Sequence, residues 1–182
     1  MIGQEVLAEM PDPDRMEPPA LAGVYRHWLA VRGDRPYPHR DDLDPKAMQP
    51  ALGYLALAEI EDPFRVRYRL VGTRLVDLYG EELTNRYVDE VYMSERVRRD
   101  VLDAYAQVVK TGRPHYTKRV FNLIIKTYGY YRLLLPLAWK SGVVDMVLVV
   151  IYPTNPDLRT ADQWRSLANL NEFLGNDRPP AA

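Results

Sequence analysis

The chain has 182 residues, with 24 Lys and Arg against 25 Asp and Glu, and a formal net charge of -1. That balance gives no general drive toward nucleic acid or anionic membrane. Cysteine is absent, which excludes disulfides, thiolate catalysis and thiolate metal sites.

The length suits one domain with extensions and supports a real core. No apolar run reaches the ~20 residues that a membrane helix needs. Residues 1–10 carry acids and no basic start, unlike a secretory signal. The expectation is a soluble, cytoplasmic protein with no membrane span and no nucleic-acid partner.

Residues 1–17, punctuated by Pro11 and Pro13 and followed by Pro18 and Pro19, read as a flexible arm. Residues 18–51 form an N-terminal helix and a connecting loop. Leu21, Val24, Tyr25, Trp28 and Leu29 fall at i, i+3, i+4, i+7 and i+8, one apolar stripe, and Gly33 ends the helix. This stripe either covers a face of its own core or pairs two subunits; the two readings are compatible. His39, among Arg40, Asp41 and Asp42, reads as part of a solvated loop. Asp44 and Pro45 open a short helix over 45–52.

Residues 54–60 are an apolar run, followed by the turn Glu61-Asp62-Pro63. Residues 64–70 then alternate strictly. Phe64, Val66, Tyr68 and Leu70 point one way; Arg65, Arg67 and Arg69 point the other. The pair reads as an antiparallel hairpin. Gly72-Thr73 starts a short helix that Gly80 ends. Residues 94–112 are the clearest helix, with Ser94 as N-cap and a stripe of Val97, Val101, Tyr105 and Val108. Its Arg96, Arg98 and Arg99 lie on a solvated face. Three strands follow, over 115–125, 129–139 and 143–152, with loops at 126–128 and 140–142. The last is apolar at nearly every position, so it is covered on both sides and central. The N-terminal helix is a candidate for that cover. Residues 154–182 carry a final helix from Thr160 to Gly175, with Trp164, Leu167, Ala168, Asn171 and Leu174 as its stripe, and a disordered tail.

Two strands, short helices and the segment Leu78-Tyr79-Gly80-Glu81-Glu82-Leu83-Thr84-Asn85-Arg86, continuing as Tyr87-Val88-Asp89, resemble the start of a PAS domain. The run resembles the stand-alone, single-PAS family of bacteria. One position departs: the usual Gly before Arg86 is Asn85, which tolerates a left-handed backbone better than other non-glycine residues. The element order alone supports an α+β class. The resemblance implies a five-stranded antiparallel sheet with short helices and one long helix over 52–153, plus N- and C-terminal helices.

The resemblance also implies a sensory or regulatory module, not an enzyme, acting through protein–protein contact and small-ligand binding. Tyr68, Tyr79, Tyr87, Tyr105 and Tyr131 come from the elements that surround a PAS cavity, and a ligand could satisfy their hydroxyls. The plain alternative is a filled core whose hydroxyls bond backbone. Leu21, Val24, Tyr25, Trp28 and Leu29 become the candidate dimer helix of a homodimer with a further signalling partner. With no kinase, cyclase or DNA-binding segment in the sequence, output is expected through a surface or through dimerisation.

No cofactor is expected. Some PAS domains bind haem through a histidine on the long helix; here that helix has none, and His115 follows its end. His27, His39 and His115 lack ligand spacing, and phosphate loops, zinc motifs and nucleophile elbows are absent. Arg132, opposed in alternation to Tyr131 and Leu133, is expected to face away from the core and meet Asp145. Two alternatives remain: a small cavity enzyme on a ketosteroid-isomerase-like cone fold, using Tyr105 and Asp103, and a ligand-free interaction protein.

Overall fold

The computed structural model describes residues 4–5, 10–91, 95–122 and 127–154. In chain order these hold β1 (Gln4–Glu5), α1 (Pro19–Arg32), a 3-10 segment (Pro45–Tyr54), β2 (Leu55–Glu61), β3 (Arg65–Val71), α2 (Thr73–Tyr79), α3 (Val88–Val91), α4 (Glu95–Thr111), β4 (His115–Asn122), β5 (Thr127–Leu137) and β6 (Met146–Pro153). The strands form one antiparallel sheet in the order β1-β4-β5-β6-β2-β3. Its last five strands are the expected five-stranded α+β sheet. The two-residue β1 adds an edge beside Arg119 and Lys118. The expected final helix and tail lie outside the described residues, as does Ser94.

β6 sits at the centre because both of its sides are apolar. Met146, Leu148 and Val150 face one cluster; Val147, Val149 and Ile151 face another. On the first face, α1 lays Leu21, Val24 and Trp28 over Leu133, Leu135 and Leu137 of β5. Tyr25 and Leu29 flank that contact. The Trp28 indole Nε1 donates to the Pro136 carbonyl at 3.0 Å, so the buried ring keeps its polar edge satisfied. On the second face, α2 to α4 deliver Leu75, Leu78, Val88, Val101, Tyr105 and Val108.

Four expectations change. The first concerns the flexible arm over 1–17. Its C-terminal end is docked: Met16 is 4% exposed, and the Glu17 carbonyl accepts the Tyr116 hydroxyl at 2.7 Å. Apolar burial and a hydrogen bond hold what composition marked as loose.

The second concerns β3. Leu57 pairs with Leu70 but Ala58 pairs with Tyr68, so Arg69 is the extra residue of a β-bulge. A bulge shifts the alternation by one. Val66 and Tyr68 are buried as expected, whereas Leu70 turns outward and is 49% exposed. Val71 packs in its place. Phe64, in the turn before β3, is also exposed.

The third concerns the end of the sheet. β5 begins at Thr127, inside the expected loop, and β6 begins at Met146. Asp145 explains the later start. Its carboxylate accepts from the backbone N–H groups of Trp139 (2.7 Å), Lys140 (2.8 Å) and Ser141 (2.9 Å). Burial pushes its pKa up, but these bonds outweigh that and hold it below the usual carboxylate value. Asp145 thus belongs to a turn and does not meet Arg132.

The fourth is Arg132 itself. It does face away from Tyr131 and Leu133, but the second face is also covered, so it points into the α4 cluster and is 4% exposed. Elsewhere the local signals hold. Gly80 closes α2 at φ 72°, and Asn85 adopts φ 68°, the left-handed turn that replaces the usual glycine. Asp44 caps the 3-10 segment by accepting from Lys46 N–H at 2.9 Å.

Candidate functional site

The two faces differ in what their polar atoms do. Alternation on β4 puts Tyr116 and Lys118 toward α1, and His115, Thr117 and Arg119 toward α4. On β5, Tyr131 and Leu133 face α1, while Tyr130, Arg132 and Leu134 face α4. Thr117 is directly opposite Arg132, His115 is opposite Leu134, and Ile151 flanks Arg132 on the other side. His115, Thr117 and Arg132 therefore form one patch on adjacent strands, roofed by α4.

This patch is polar within an apolar cluster, and several of its atoms lack partners among the described residues. Arg132 is 4% and Thr117 2% exposed. Among the described residues, Arg132 Nε and Nη1, Thr117 Oγ1 and both ring nitrogens of His115 are buried without a hydrogen-bond partner. Native interiors leave few such atoms, and a buried charge without a counter-ion is the costliest case. Burial, and next the Arg132 guanidinium, push the His115 pKa down to about 4. The ring is therefore neutral near pH 7, with one nitrogen donating and the other accepting. Arg119, the next inward residue of β4, is ion-paired with Asp100 of α4.

A second polar group lies at the β3 edge. The Tyr87 hydroxyl donates to Glu61 at 2.9 Å, and the ring lies 3.4 Å beneath the Arg65 guanidinium. Arg67 hydrogen-bonds the same hydroxyl, and Arg65 reaches Glu90 at 2.8 Å and Asp89 at 3.2 Å. These ions are paired with one another and partly exposed, which suits a clasp between β3 and α3.

A family model described as PAS domain matches residues 16–151 of this chain. The chain belongs to the PAS domain family. Among solved structures, the PAS domain of BvgS from Bordetella pertussis is similar, with 17% identity, 65% of this chain and 87% of that chain covered, and a TM-score of 0.45. A light-oxygen-voltage domain studied with a flavin analogue is similar at 13% identity over 71% of this chain and 93% of that one, with a TM-score of 0.45. The light-state LOV domain of Aureochrome1 gives 16% identity, coverages of 68% and 97%, and a TM-score of 0.38. No curated protein matches the chain.

The PAS assignment gives the tyrosines their frame. Tyr68, Tyr79 and Tyr105 come together in the cluster beneath α2 and α4. Tyr87 lies at the rim, in the β3 clasp. Tyr131 is on the opposite face, which corrects its expected place near the cavity. It stacks on Tyr116 at 6.2 Å, and its hydroxyl meets the Glu17 carboxylate at 3.4 Å. Odd and even positions of β5 serve different cores, and Tyr131 falls on the α1 side.

The candidate dimer residues Leu21, Val24 and Trp28 are buried against their own sheet, with Tyr25 and Leu29 half-buried beside them. Asp103 is exposed while Tyr105 is buried, so the structure does not bring together the pair that a cone-fold enzyme would use. His39 caps a turn and its Nε2 lies 2.8 Å from the Trp139 carbonyl. Among the described residues no cluster of three metal-ligating side chains occurs, and no helix is long and apolar enough to cross a membrane.

Sequence reasoning missed the His115–Thr117–Arg132 patch. Its signal was present: the nearly all-apolar strand expected over 143–152 implied two covered faces, so an arginine on the neighbouring strand had to enter one of them.

Proposed function

We propose that this PAS chain is a non-enzymatic sensory or regulatory module that binds a small ligand between α4 and the sheet and passes the signal on by protein–protein contact. One observation carries the ligand half of this reading. The α4 face encloses His115, Thr117 and Arg132, whose buried polar atoms lack partners among the described residues, whereas on the α1 face the Trp28 indole and the Tyr116 hydroxyl are bonded to backbone carbonyls. A bound molecule that supplies hydrogen-bond partners relieves the desolvation cost of such groups. A cytoplasmic homodimer belongs to the same reading. Leu21, Val24 and Trp28 are engaged with the sheet, so a second copy would meet the outer side of α1.

Native mass spectrometry of the protein purified from its own host, beside a denatured control, tests this. The expected result is a mass excess on the folded protein that disappears on denaturation, on a dimer peak. A bare folded protein would remove the ligand from the account. A monomer would move the signalling contact to a different protein.

A further inference from the structure

We propose that the α4-covered patch of β4 and β5 is a carboxylate-binding site in which Arg132 and Thr117 hold the anionic end of a small monocarboxylic acid. This rests on the ligand-binding reading above and gives the ligand a chemical class.

Charge decides the class. Arg132 is a buried cation with no anionic partner among the described residues. The other buried charges among the described residues are matched: Arg119 by Asp100, and Glu59 by Arg69 at 3.2 Å and by Lys140. His115 adds no positive charge near neutral pH, because its buried ring is held in the neutral form. Among the described residues the patch therefore carries one uncompensated positive charge. A buried cation is stable only when a counter-ion and hydrogen bonds replace its water. One carboxylate supplies both, whereas a phosphate dianion would overcompensate.

Donors and shape agree with charge. Arg132 Nε carries one N–H and Nη1 carries two. The Thr117 hydroxyl, directly across the strand pair, adds a rotatable donor. His115 presents one N–H as well. These lie on one side of the sheet, and no acceptor among the described residues takes Arg132 Nε or Nη1. The surroundings are apolar: Val101, Tyr105, Leu134, Val149 and Ile151 belong to the same cluster. A short aliphatic or aryl tail matches the chemistry of that lining, with its carboxylate toward Arg132.

Thermal unfolding of the full chain tests this with sodium butyrate, sodium acetate and sodium phosphate, each against sodium chloride at equal ionic strength. The expected result is a rise in Tm that grows with butyrate and acetate concentration, while phosphate acts no better than chloride. Arg132→Met, which keeps the length and removes the charge, should weaken the carboxylate effect by about 10- to 100-fold, as loss of a charge-assisted hydrogen bond does. Without added anion the variant should be at least as stable as the natural protein, because an unpaired buried cation has gone.

Three results would overturn the proposal: no response to carboxylate, an equal response in Arg132→Met, or stabilisation by phosphate alone. A large fall in Tm of Arg132→Met in plain chloride would also overturn it, by assigning Arg132 a partner within the chain. Native mass spectrometry of the same two proteins separates the two levels of the account. A ligand retained equally by both would sink the carboxylate while leaving a ligand-binding PAS module. A bare natural protein that takes up no probe would remove both.

Discussion

The two faces of the central sheet are built to different rules. The α1 face is nearly all apolar, and the polar groups set into its core have partners: Trp28 Nε1 on the Pro136 carbonyl, the Tyr116 hydroxyl on the Glu17 carbonyl, the Tyr131 hydroxyl on the Glu17 carboxylate; only Arg32 Nε, at the end of α1 over the Trp28 ring, lacks one among the described residues. The α4 face buries as many apolar side chains but also encloses His115, Thr117 and Arg132, with five side-chain atoms lacking partners among the described residues. A face that serves stability alone gains nothing from such groups. The contrast separates a scaffold side from a site side on one sheet, and β6 belongs to both.

Perturbing each face should give different signatures. The largest effect belongs to the scaffold side. Trp28→Ala empties a fully buried ring site and breaks the bond to Pro136, so urea unfolding should register a loss of about 3–5 kcal/mol. Its response to added carboxylate, corrected for stability, should stay that of the natural chain. If Trp28→Ala instead left stability intact and changed only self-association, the α1 face would be an interface and the contrast would collapse.

Next comes the pH dependence of the site side. His115 has a folded pKa of about 4, depressed below its ordinary value near 6.5 by burial and by Arg132. Between these values the unfolded chain binds the proton and the folded chain does not, so stability rises with pH across the window. His115 therefore favours the folded state fully above about pH 6.5, and this is lost as pH falls toward 4. The residue as a whole is partly exposed, so solvent screening reduces the effect to the order of 1–2 kcal/mol. Unfolding curves at pH 7.5 and 5 should show this slope in the natural chain and a shallower one in His115→Gln. Equal slopes would mean that the ring is not held neutral.

Smaller effects sharpen the boundary. Tyr116→Phe removes one satisfied hydrogen bond on the α1 face and should cost about 1 kcal/mol. Burial, with Tyr131 and Glu17 nearby, raises the Tyr116 pKa, so its hydroxyl should also resist ionisation in an alkaline absorbance titration. Leu70→Thr touches neither face, because the bulge turns Leu70 into solvent. Its stability should stay within about 0.5 kcal/mol of the natural chain.

Much of the scaffold was legible in the sequence. The stripe of Leu21, Val24 and Trp28 marks α1, the apolar run over 143–152 marks a doubly covered strand, and the Leu78 to Arg86 segment resembles the family that the match over residues 16–151 establishes. The site was less legible because alternation says which residues share a face, not whether that face is dry. Arg132 and Tyr131 were correctly opposed, yet each went to the wrong environment once both faces were covered. The Arg69 bulge shows the other limit. One extra residue, without a glycine to announce it, reverses the direction of Leu70. Asp145 was misread because a short polar side chain that gathers backbone donors ends a strand as effectively as a proline does.

The most direct test of the two-faced sheet is one NMR spectrum of the 15N-labelled full chain, recorded as butyrate is added. It contains the Arg132 Nε–H and the Trp28 indole Nε1–H, one reporter on each face. The account predicts that the Arg132 resonance moves and saturates while the Trp28 resonance stays in place. A stationary Arg132 resonance, or equal movement of both, would contradict it.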